Sequence, residues 1–318
     1  MTSATQILLI GAGELGTAFL PHLSALPHTH ITLGVRTPQK YNHLSSATVS
    51  LTPLDITGPS EALSQTFANY NIVISATGFG QYNGTLLKLA KEILDAGLLR
   101  RTANRSRLWF FPWQWGVNYD VTGDGQGLMP LFGEQAAVRD LLRAEATQNN
   151  IKWTILSTGI FMSFLFEQFW GVVDREGGGI TVRALRSWEH GITVTDVSDI
   201  GKILARVITG DVEADNTVVY AAGDTVTYKE LADIVERTAG EPVKREAWTI
   251  PYLEAELAKD RDDHIKKYRL VFARDGVCWD KHGTVNYELN IPVINVDKSL
   301  SILKLPHNMR SIMTTVFT

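Results

Sequence analysis

Residues 7–16 read ILLIGAGELG, and this stretch decides the fold. Four consecutive apolar residues that run into glycine are typical of a strand buried within a parallel sheet. The residues that follow fit the pattern Gly-x-Gly-x-x-Gly. Gly11 permits a tight turn, Gly13 lets the main chain approach a pyrophosphate, and Gly16 lets a helix pack closely on the strand. The stretch therefore predicts a dinucleotide-binding strand–turn–helix unit, with the helix N-terminus facing the phosphates.

Short apolar runs recur after this unit and alternate with helical stretches. The runs lie at 31–35, 72–75, 108–111 and 153–156, and the helical stretches at 15–25, 86–99 and 134–148. Strands that alternate with helices predict βαβ units and a Rossmann-type, doubly wound parallel sheet of the α/β class. We expect the dinucleotide-binding domain to span 1–157, with 193–222 packing back onto it. A smaller, mixed α/β substrate-binding lobe is expected over 158–318.

Composition excludes several classes of function. The 318 residues carry a net charge of −4 and no basic cluster, which argues against a nucleic-acid partner. The longest apolar stretch, 161–173, contains Glu167 and Gln168 and is too short to cross a bilayer, so we expect no membrane association. The eight histidines lack metal-ligand spacing, so we predict no metal site. Cys278 has no partner for an internal disulfide, and the N-terminus shows no signal peptide, so we expect a cytoplasmic protein. We expect it to be a monomer or a homodimer.

The end of the second apolar run selects the cofactor. An acid there would bind the ribose hydroxyls of NAD, whereas arginine pairs with the 2′-phosphate of NADP. Arg36 stands at this position with Lys40 close behind and no acid beside it, so the sequence favours NADP(H); the alternative is a surface arginine with no ligand. The predicted cofactor-binding residues are Gly11, Gly13, Glu14, Leu15 and Gly16 at the phosphates, Arg36 and Lys40 at the ribose phosphate, Asp55 and Ile56 along the adenine, and Thr77 and Gly78 over the pyrophosphate and ribose.

Residues 110–120 read FFPWQWGVNYD and place two indoles and a phenol directly after the fifth predicted strand. In doubly wound sheets the carboxyl ends of the strands line the ligand crevice. We therefore predict that this aromatic loop forms a wall of the substrate pocket; packing in the core is the alternative. The predicted substrate-binding residues are Trp113, Trp115, Asn118, Tyr119, Phe161 and Phe164.

On these residues the chain resembles the NmrA-like and isoflavone-reductase-like family of atypical short-chain dehydrogenases, in particular the fungal branch associated with specialised metabolism. The resemblance rests on the glycine turn, on Arg36, and on FPWQWG at 111–116 in place of the family's F-x-P-S-x-F-G loop. It also rests on the segments AVR, WTILSTGIF and AAGD, at 137–139, 153–161 and 221–224. It implies NADPH bound across the sheet and a small aromatic substrate held against the nicotinamide.

The chain departs from the family at the residue that handles the proton. Family reductases carry a lysine in a K-x-x-V-R pattern, and here that pattern reads QAAVR, with Gln135 at the lysine position. An amide can orient a group by hydrogen bonding but cannot act as a titrating acid or base. We therefore name Gln135, Glu134 and Asp120 as the candidate catalytic residues.

Three functions remain open on the sequence. The first is an NADP(H)-dependent reductase of a C=N, C=C or C=O bond in an aromatic natural product. Of these three bonds, a C=N that is already a protonated iminium needs hydride but no proton donor from the enzyme. The second is a non-redox enzyme that holds NADP(H) and closes an iminium onto an aromatic ring, as in a Pictet–Spengler reaction, with aromatic faces stabilising the cation. The third is an NmrA-like regulator that senses the cofactor.

Overall fold

The computed structural model describes residues 4–78, 83–176 and 178–302. Contacts divide the chain into two compact units. The first comprises Met1–Trp115, Glu134–Leu156 and Ile200–Val219, and the second Gly116–Gly133, Ser157–Asp199 and Tyr220–Thr318. The first unit lacks 116–133 and Ser157 of the predicted domain 1–157, and it includes 200–219 of the stretch 193–222.

The first unit is built on a seven-stranded sheet of order β3-β2-β1-β4-β5-β6-β11. Its strands are β1 (Thr5–Ile10), β2 (Thr29–Val35), β3 (Val49–Pro53), β4 (Ile72–Ser75), β5 (Leu108–Phe111), β6 (Ile151–Ser157) and β11 (Thr217–Tyr220). The pairings among β1 to β6 are all parallel. This order, which reverses beside β1, confirms the predicted Rossmann-type sheet.

Helices connect the strands of this sheet. They are α1 (Glu14–Ser24), α2 (Ser60–Phe67), α3 (Thr85–Thr102), α5 (Pro130–Glu145) and α6 (Val197–Ile208). A short 3₁₀ helix, Pro38–Leu44, lies between β2 and β3. The core of the unit starts at β1, where Ile7, Leu8 and Leu9 are fully buried, because a strand in the middle of a parallel sheet is covered on both faces.

The turn between β1 and α1 needs glycine at two positions. Gly11 has a φ of 103°, and a Cβ there would lie 2.5 Å from the carbonyl oxygen of Ala76. A Cβ at Gly16 would lie 2.0 Å from the carbonyl oxygen of Gly11. The close packing of helix on turn that the sequence pattern predicts is therefore present.

The second unit holds two smaller sheets of mixed direction. One has the order β12-β10-β7, formed by β7 (Ile160–Phe161), β10 (Gly191–Thr195) and β12 (Asp224–Thr227). The other has the order β13-β9-β8, formed by β8 (Val173–Asp174), β9 (Thr181–Leu185) and β13 (Lys244–Trp248). Each sheet contains one parallel and one antiparallel pairing, so the predicted mixed α/β character is confirmed.

Short helices complete the second unit. They are α4 (Tyr119–Thr122), α7 (Tyr228–Ala239), α8 (Ile250–Lys259), α9 (His264–Phe272), α10 (Val285–Glu288) and α11 (Val296–Ile302), with 3₁₀ helices at Met162–Phe166 and Lys281–Gly283. A capping box between Thr227 and Glu230 starts α7, and Gly240 ends it with a φ of 73°. Within the three described ranges, no helix has the length and apolar character that a membrane span requires.

Candidate cofactor-binding and substrate-binding residues

A cleft of about 510 Å³ opens in the first unit at the carboxyl ends of β1, β2, β3 and β4. The structure brings together seven of the predicted cofactor-binding residues, which line this cleft: Gly11, Gly13, Arg36, Lys40, Asp55, Ile56 and Thr77. Nine residues that the list of predicted site residues did not name also line it: Ile10, Ala12, Gly34, Val35, Thr37, Tyr41, Leu54, Thr57 and Ala76. Each of these residues lies within two positions of a predicted one, so the ends of the strands were the available signal.

Gly13 tests whether the cleft suits a dinucleotide. A Cβ built at Gly13 would meet no protein atom within 4 Å, although Gly13 lines the cleft. Glycine is therefore not required there by the protein's own packing, and the open space beside its main chain fits a pyrophosphate at the start of α1. Gly11 and Gly16, in contrast, have the packing reasons given above.

Four predicted cofactor-binding residues do not line the cleft. The Leu15 side chain is buried, and Gly16 packs on the turn. Glu14 begins α1, and Gly78 follows Thr77 with a φ of 77°. Their contact with a cofactor stays a prediction, and for Leu15 and Gly16 it would be made by main-chain N–H groups only.

The cleft carries charges of both signs at separate ends of strands. Arg36 and Lys40 are exposed after β2, and Asp55 is exposed after β3. The Asp55 carboxylate accepts hydrogen bonds from the Thr57 main-chain N–H at 2.9 Å and the Thr57 hydroxyl at 2.8 Å. These bonds hold the pKa of Asp55 below its ordinary value, and the positive charges of Arg36 and Lys88 add to the effect. The cleft therefore has two cations, Arg36 and Lys40, that can bind a phosphate, and a carboxylate, that of Asp55, that can accept a hydrogen bond from a ligand.

The two indoles of the aromatic loop pack within the first unit. Trp115 is 5% exposed; its Nε1 donates to the carbonyl oxygen of Ser75 at 2.8 Å, and its ring meets Phe19 edge to face at 4.8 Å. Trp113 is 7% exposed and borders a void of about 10 Å³, which has room for one water molecule and not for a substrate. Core packing, the alternative reading, describes both side chains here, and their contact with a substrate stays a prediction.

Gln135 belongs to a buried group of hydrogen bonds that we call the glutamine clamp: Gln114, Gln135 and Arg139. The Gln135 Nε2 donates to the carbonyl oxygen of Trp113 at 2.9 Å, and the Gln114 Nε2 donates to the carbonyl oxygen of Gln135 at 2.7 Å. The Arg139 Nε donates to Oε1 of Gln114 at 2.7 Å. All three side chains are at most 2% exposed. The clamp fixes the aromatic loop to α5, and Oε1 of Gln135 has no hydrogen-bond partner among the described residues.

Glu134 binds the start of a neighbouring helix. One carboxylate oxygen accepts from the Gly84 main-chain N–H at 3.0 Å and the other from the Leu87 N–H at 2.9 Å, at the first turn of α3. Asp120, the third candidate for catalysis, is exposed in α4 of the second unit. The contacts of Gln135 and Glu134 are therefore structural.

The predicted substrate residues of the second unit divide into two groups. Tyr119 and Phe164 belong to a set of touching rings that we call the aromatic cluster, which also contains Phe132, Trp170, Tyr268 and Phe272. Phe161 lies outside these ring contacts and is partly exposed. The Asn118 side chain accepts from the Asp120 N–H at 3.1 Å and starts α4.

Tyr268 is the centre of the aromatic cluster and was missed by sequence reasoning. Its ring contacts Phe132 at 5.6 Å, Trp170 at 5.9 Å and Phe272 at 5.0 Å. Burial of its hydroxyl, with the Tyr119 phenol nearby, raises the pKa of Tyr268 well above its ordinary value, so that this phenol stays a neutral donor. The sequence shows only that Tyr268 and Phe272 share a helix face, because the other rings come from distant parts of the chain.

Two arginines hold the main chain at the end of the aromatic segment. Arg269 donates to the carbonyl oxygens of Phe169 at 2.7 Å and Trp170 at 2.9 Å, and Arg183 donates to that of Gly171 at 2.9 Å. Both guanidinium groups lie over the ring of Trp248, at 4.7 Å for Arg269 and 5.1 Å for Arg183. This arrangement fixes the position of Trp170, whose Nε1 has no hydrogen-bond partner among the described residues. No group of acids, histidines and cysteines suited to a metal ion occurs in the part of the chain that the structure describes.

The chain was compared with known proteins. It is 37% identical over 315 residues to an NmrA-like family domain-containing oxidoreductase of Gibberella moniliformis (strain M3125 / FGSC 7600), covering 94% of this chain and 98% of that protein. Among solved structures, an isoflavone reductase superposes with a TM-score of 0.74 at 18% identity, covering 95% of this chain and 100% of that one. AtPrR2 with NADP+ and (+)pinoresinol superposes with a TM-score of 0.72 at 17% identity, covering 95% and 99%. These structural likenesses confirm the fold.

The model of the NmrA-like family matches residues 3–308, nearly the whole chain. The family resemblance that the glycine turn, Arg36 and the aromatic loop suggested is therefore confirmed, and this chain belongs to the NmrA-like family.

Proposed function

We propose that this protein is an NADP(H)-dependent reductase that acts on a C=N, C=C or C=O bond of an aromatic substrate. The observation that carries the proposal is the cleft in which Arg36 and Lys40 share one space with the open main chain of Gly13. The family membership supports an oxidoreductase, and the AtPrR2 complex offers a precedent for NADP+ and an aromatic ligand on this fold.

In this proposal NADPH supplies the hydride when it is bound, and the chain supplies binding and orientation. Main-chain N–H groups around Gly13 and the start of α1 would hold the pyrophosphate. Arg36 and Lys40 would pair with the 2′-phosphate, and Asp55 with Ile56 would lie along the adenine. Phe161 of the second unit, which is partly exposed, would contact the flat face of the substrate.

The residues present favour a substrate that needs no proton from the enzyme. Gln135 is an amide whose donor is already bound to Trp113, and Glu134 is bound to two N–H groups of α3. Neither is placed to protonate an alkoxide, although Asp120 is exposed. General acid–base assistance is typically worth about 10²–10⁴ in rate, so a ketone reductase lacking it would be slow. Reduction of an iminium needs hydride only, and we therefore propose a nitrogenous substrate in fungal specialised, in particular alkaloid, metabolism.

The second candidate is a non-redox enzyme that closes an iminium onto an aromatic ring with NADP(H) bound. Ring closure uses no hydride, aromatic faces stabilise the cation, and Glu134, Asp120 or Gln135 would handle the proton that leaves the aromatic ring. A cofactor-sensing regulator is the third candidate, and the similarity to an oxidoreductase argues against it. We propose that the protein acts in the cytoplasm as a monomer or homodimer.

One experiment separates these candidates. The protein is incubated with NADPH and a panel of aromatic amine–aldehyde pairs, while nicotinamide absorbance and product mass are followed together. Loss of absorbance with a gain of two hydrogens in the product is the expected result. A condensed product with constant absorbance supports the cyclase, and cofactor binding without turnover of any pair supports the regulator.

A further inference from the structure

The Lys88 side chain joins α3 to the loop that follows β3. Its Nζ donates to the carbonyl oxygens of Ile56 at 3.2 Å and Gly58 at 2.9 Å, and it pairs with the carboxylate of Glu92. An ammonium group has three N–H donors, and these three partners use all of them. Lys88 is therefore not a proton donor that replaces the family lysine, and its contacts call for another role.

The loop that Lys88 holds is the adenine side of the cofactor cleft. Asp55, Ile56 and Thr57 line the cleft, whereas Lys88 does not. The Asp55 side chain is bound to Thr57, and the Gly58 N–H donates to the carbonyl oxygen of Asp55 at 3.0 Å, which makes this segment a closed turn. Lys88 binds two further carbonyl oxygens of this segment, those of Ile56 and Gly58, so the main chain that carries the lining residues is fixed on the side away from the cleft.

Glu92 explains why a charged group performs this task. It is 1% exposed, and Lys88 is the partner of one of its oxygens, while its other oxygen has no hydrogen-bond partner among the described residues. A buried carboxylate is costly without its counter-ion, so the ammonium group of Lys88 stays beside the Glu92 carboxylate. A cation also makes stronger hydrogen bonds to carbonyl oxygens than a neutral donor does.

We infer that Lys88 is a positioning residue for the cofactor: with Glu92 it fixes the loop 54–58 in the shape that receives the adenine end of a dinucleotide. The inference rests on the proposal that the cleft binds NADP(H), and it is independent of the substrate. A loop that is already ordered spares the ligand the entropic cost of ordering it on binding. Removal of the pair is therefore expected to weaken ligands that contain adenine, and not those that lack it.

The test uses the full-length protein and two fragments of the cofactor. The double variant Lys88→Met/Glu92→Met replaces the ion pair by apolar side chains of similar length, which avoids the unpaired buried carboxylate that Lys88→Met alone would leave. Titration calorimetry measures the affinity for 2′,5′-ADP, which carries the adenine, and for reduced nicotinamide mononucleotide, which does not. We expect about tenfold weaker binding of 2′,5′-ADP and an unchanged affinity for the mononucleotide.

Amide hydrogen exchange of the ligand-free protein gives a second readout, and the amides of 54–58 are expected to exchange faster in the double variant. Lys91→Met, at an exposed lysine on the same helix, is the matched control and should change neither measurement. Lys88→Arg keeps a cation with several donors and should weaken 2′,5′-ADP less than the double variant does. Two results with a folded double variant overturn the inference and leave the cofactor proposal intact. One is an unchanged affinity for 2′,5′-ADP, and the other is an equal loss of affinity for both fragments. A wild type that binds no 2′,5′-ADP overturns it together with the cofactor proposal.

Discussion

Arg36 is the residue on which the choice of cofactor depends. It is exposed at the end of β2, in the cleft that Gly13 also lines, and no acid competes for the position. Loss of a charge-assisted hydrogen bond to the 2′-phosphate should weaken NADPH about ten- to a hundredfold, so we expect this loss for Arg36→Ala and little change for NADH. Fluorescence titration of both cofactors measures it, with Arg237→Ala, an exposed arginine of the second unit, as control. Equal affinity of the wild type for NADPH and NADH would contradict the prediction.

Gln135 tests whether the position of the family lysine still takes part in proton transfer. Gln135→Ala removes the donor to the Trp113 carbonyl and should lower the free energy of unfolding by about 1–3 kcal/mol, the cost of an unpaired buried polar group. Gln135→Lys should cost more, because it places an ammonium group in a buried site that already contains Arg139 and has almost no free volume. We expect turnover of a cationic substrate to fall in the same order.

Urea unfolding and turnover of the two variants are measured side by side. Gln148→Lys makes the same substitution at an exposed position and is the control for the added charge. If Gln135→Lys increased turnover of the native substrate, the site would work with a lysine as an ordinary family reductase, and the role that we assign to the clamp would be wrong.

At the scale of elements, α3 depends on a side chain from another helix. Gly84, in a left-handed conformation with a φ of 87°, precedes its first residue, and no local side chain caps it. Glu134 of α5 supplies the two acceptors, and its charge also complements the helix dipole. Glu134→Gln leaves one acceptor and no charge, so we expect a loss of about 0.5–2 kcal/mol in the free energy of unfolding with turnover retained. Asp140→Asn, exposed on the same helix, is the control. A stable Glu134→Gln protein without turnover would instead make Glu134 the catalytic base.

Elements were predictable where a short stretch of sequence contains its own signal. β4 and β5 have the predicted bounds, because a strand buried on both faces is a continuous apolar run. α5 begins at Pro130, four residues before the predicted start at 134. Proline is tolerated in the first turn of a helix, so Pro130 belongs to the helix and not to the loop before it. The capping of α3 by Glu134 was not predictable, because the two partners are about 50 residues apart in the chain.

At the scale of the molecule, the cofactor cleft was predictable from local sequence, whereas the rest of the candidate site depends on contacts between distant residues. The cleft lies at the carboxyl ends of parallel strands, and each strand end can be recognised from a short stretch of sequence. Gly13, Arg36 and Asp55 were all predicted in this way. Lys88 and Tyr268 also act through distant partners, Gly58 and Phe132, and their helical segments look like ordinary surface and core. Trp115 fits two predictions: an aromatic residue in a ligand-facing loop can contact a substrate or pack in the core, and only the tertiary structure distinguishes the two.

The cofactor should stabilise the protein through the first unit. All residues that line the cleft belong to that unit, so NADPH should slow amide exchange at 10–13, 34–41, 54–57 and 76–77. A ligand that binds only the folded state at a hundred times its Kd adds about 2.7 kcal/mol to the free energy of unfolding, so we also expect a higher melting temperature. Arg36→Ala at the same NADPH concentration should lose about 1.3–2.3 kcal/mol of this increase, because the ratio of ligand to Kd falls ten- to a hundredfold. Exchange mass spectrometry and scanning calorimetry provide the two measurements. A higher melting temperature without slower exchange in those four segments would show that NADPH binds elsewhere, and the cleft would then have to be assigned to another ligand.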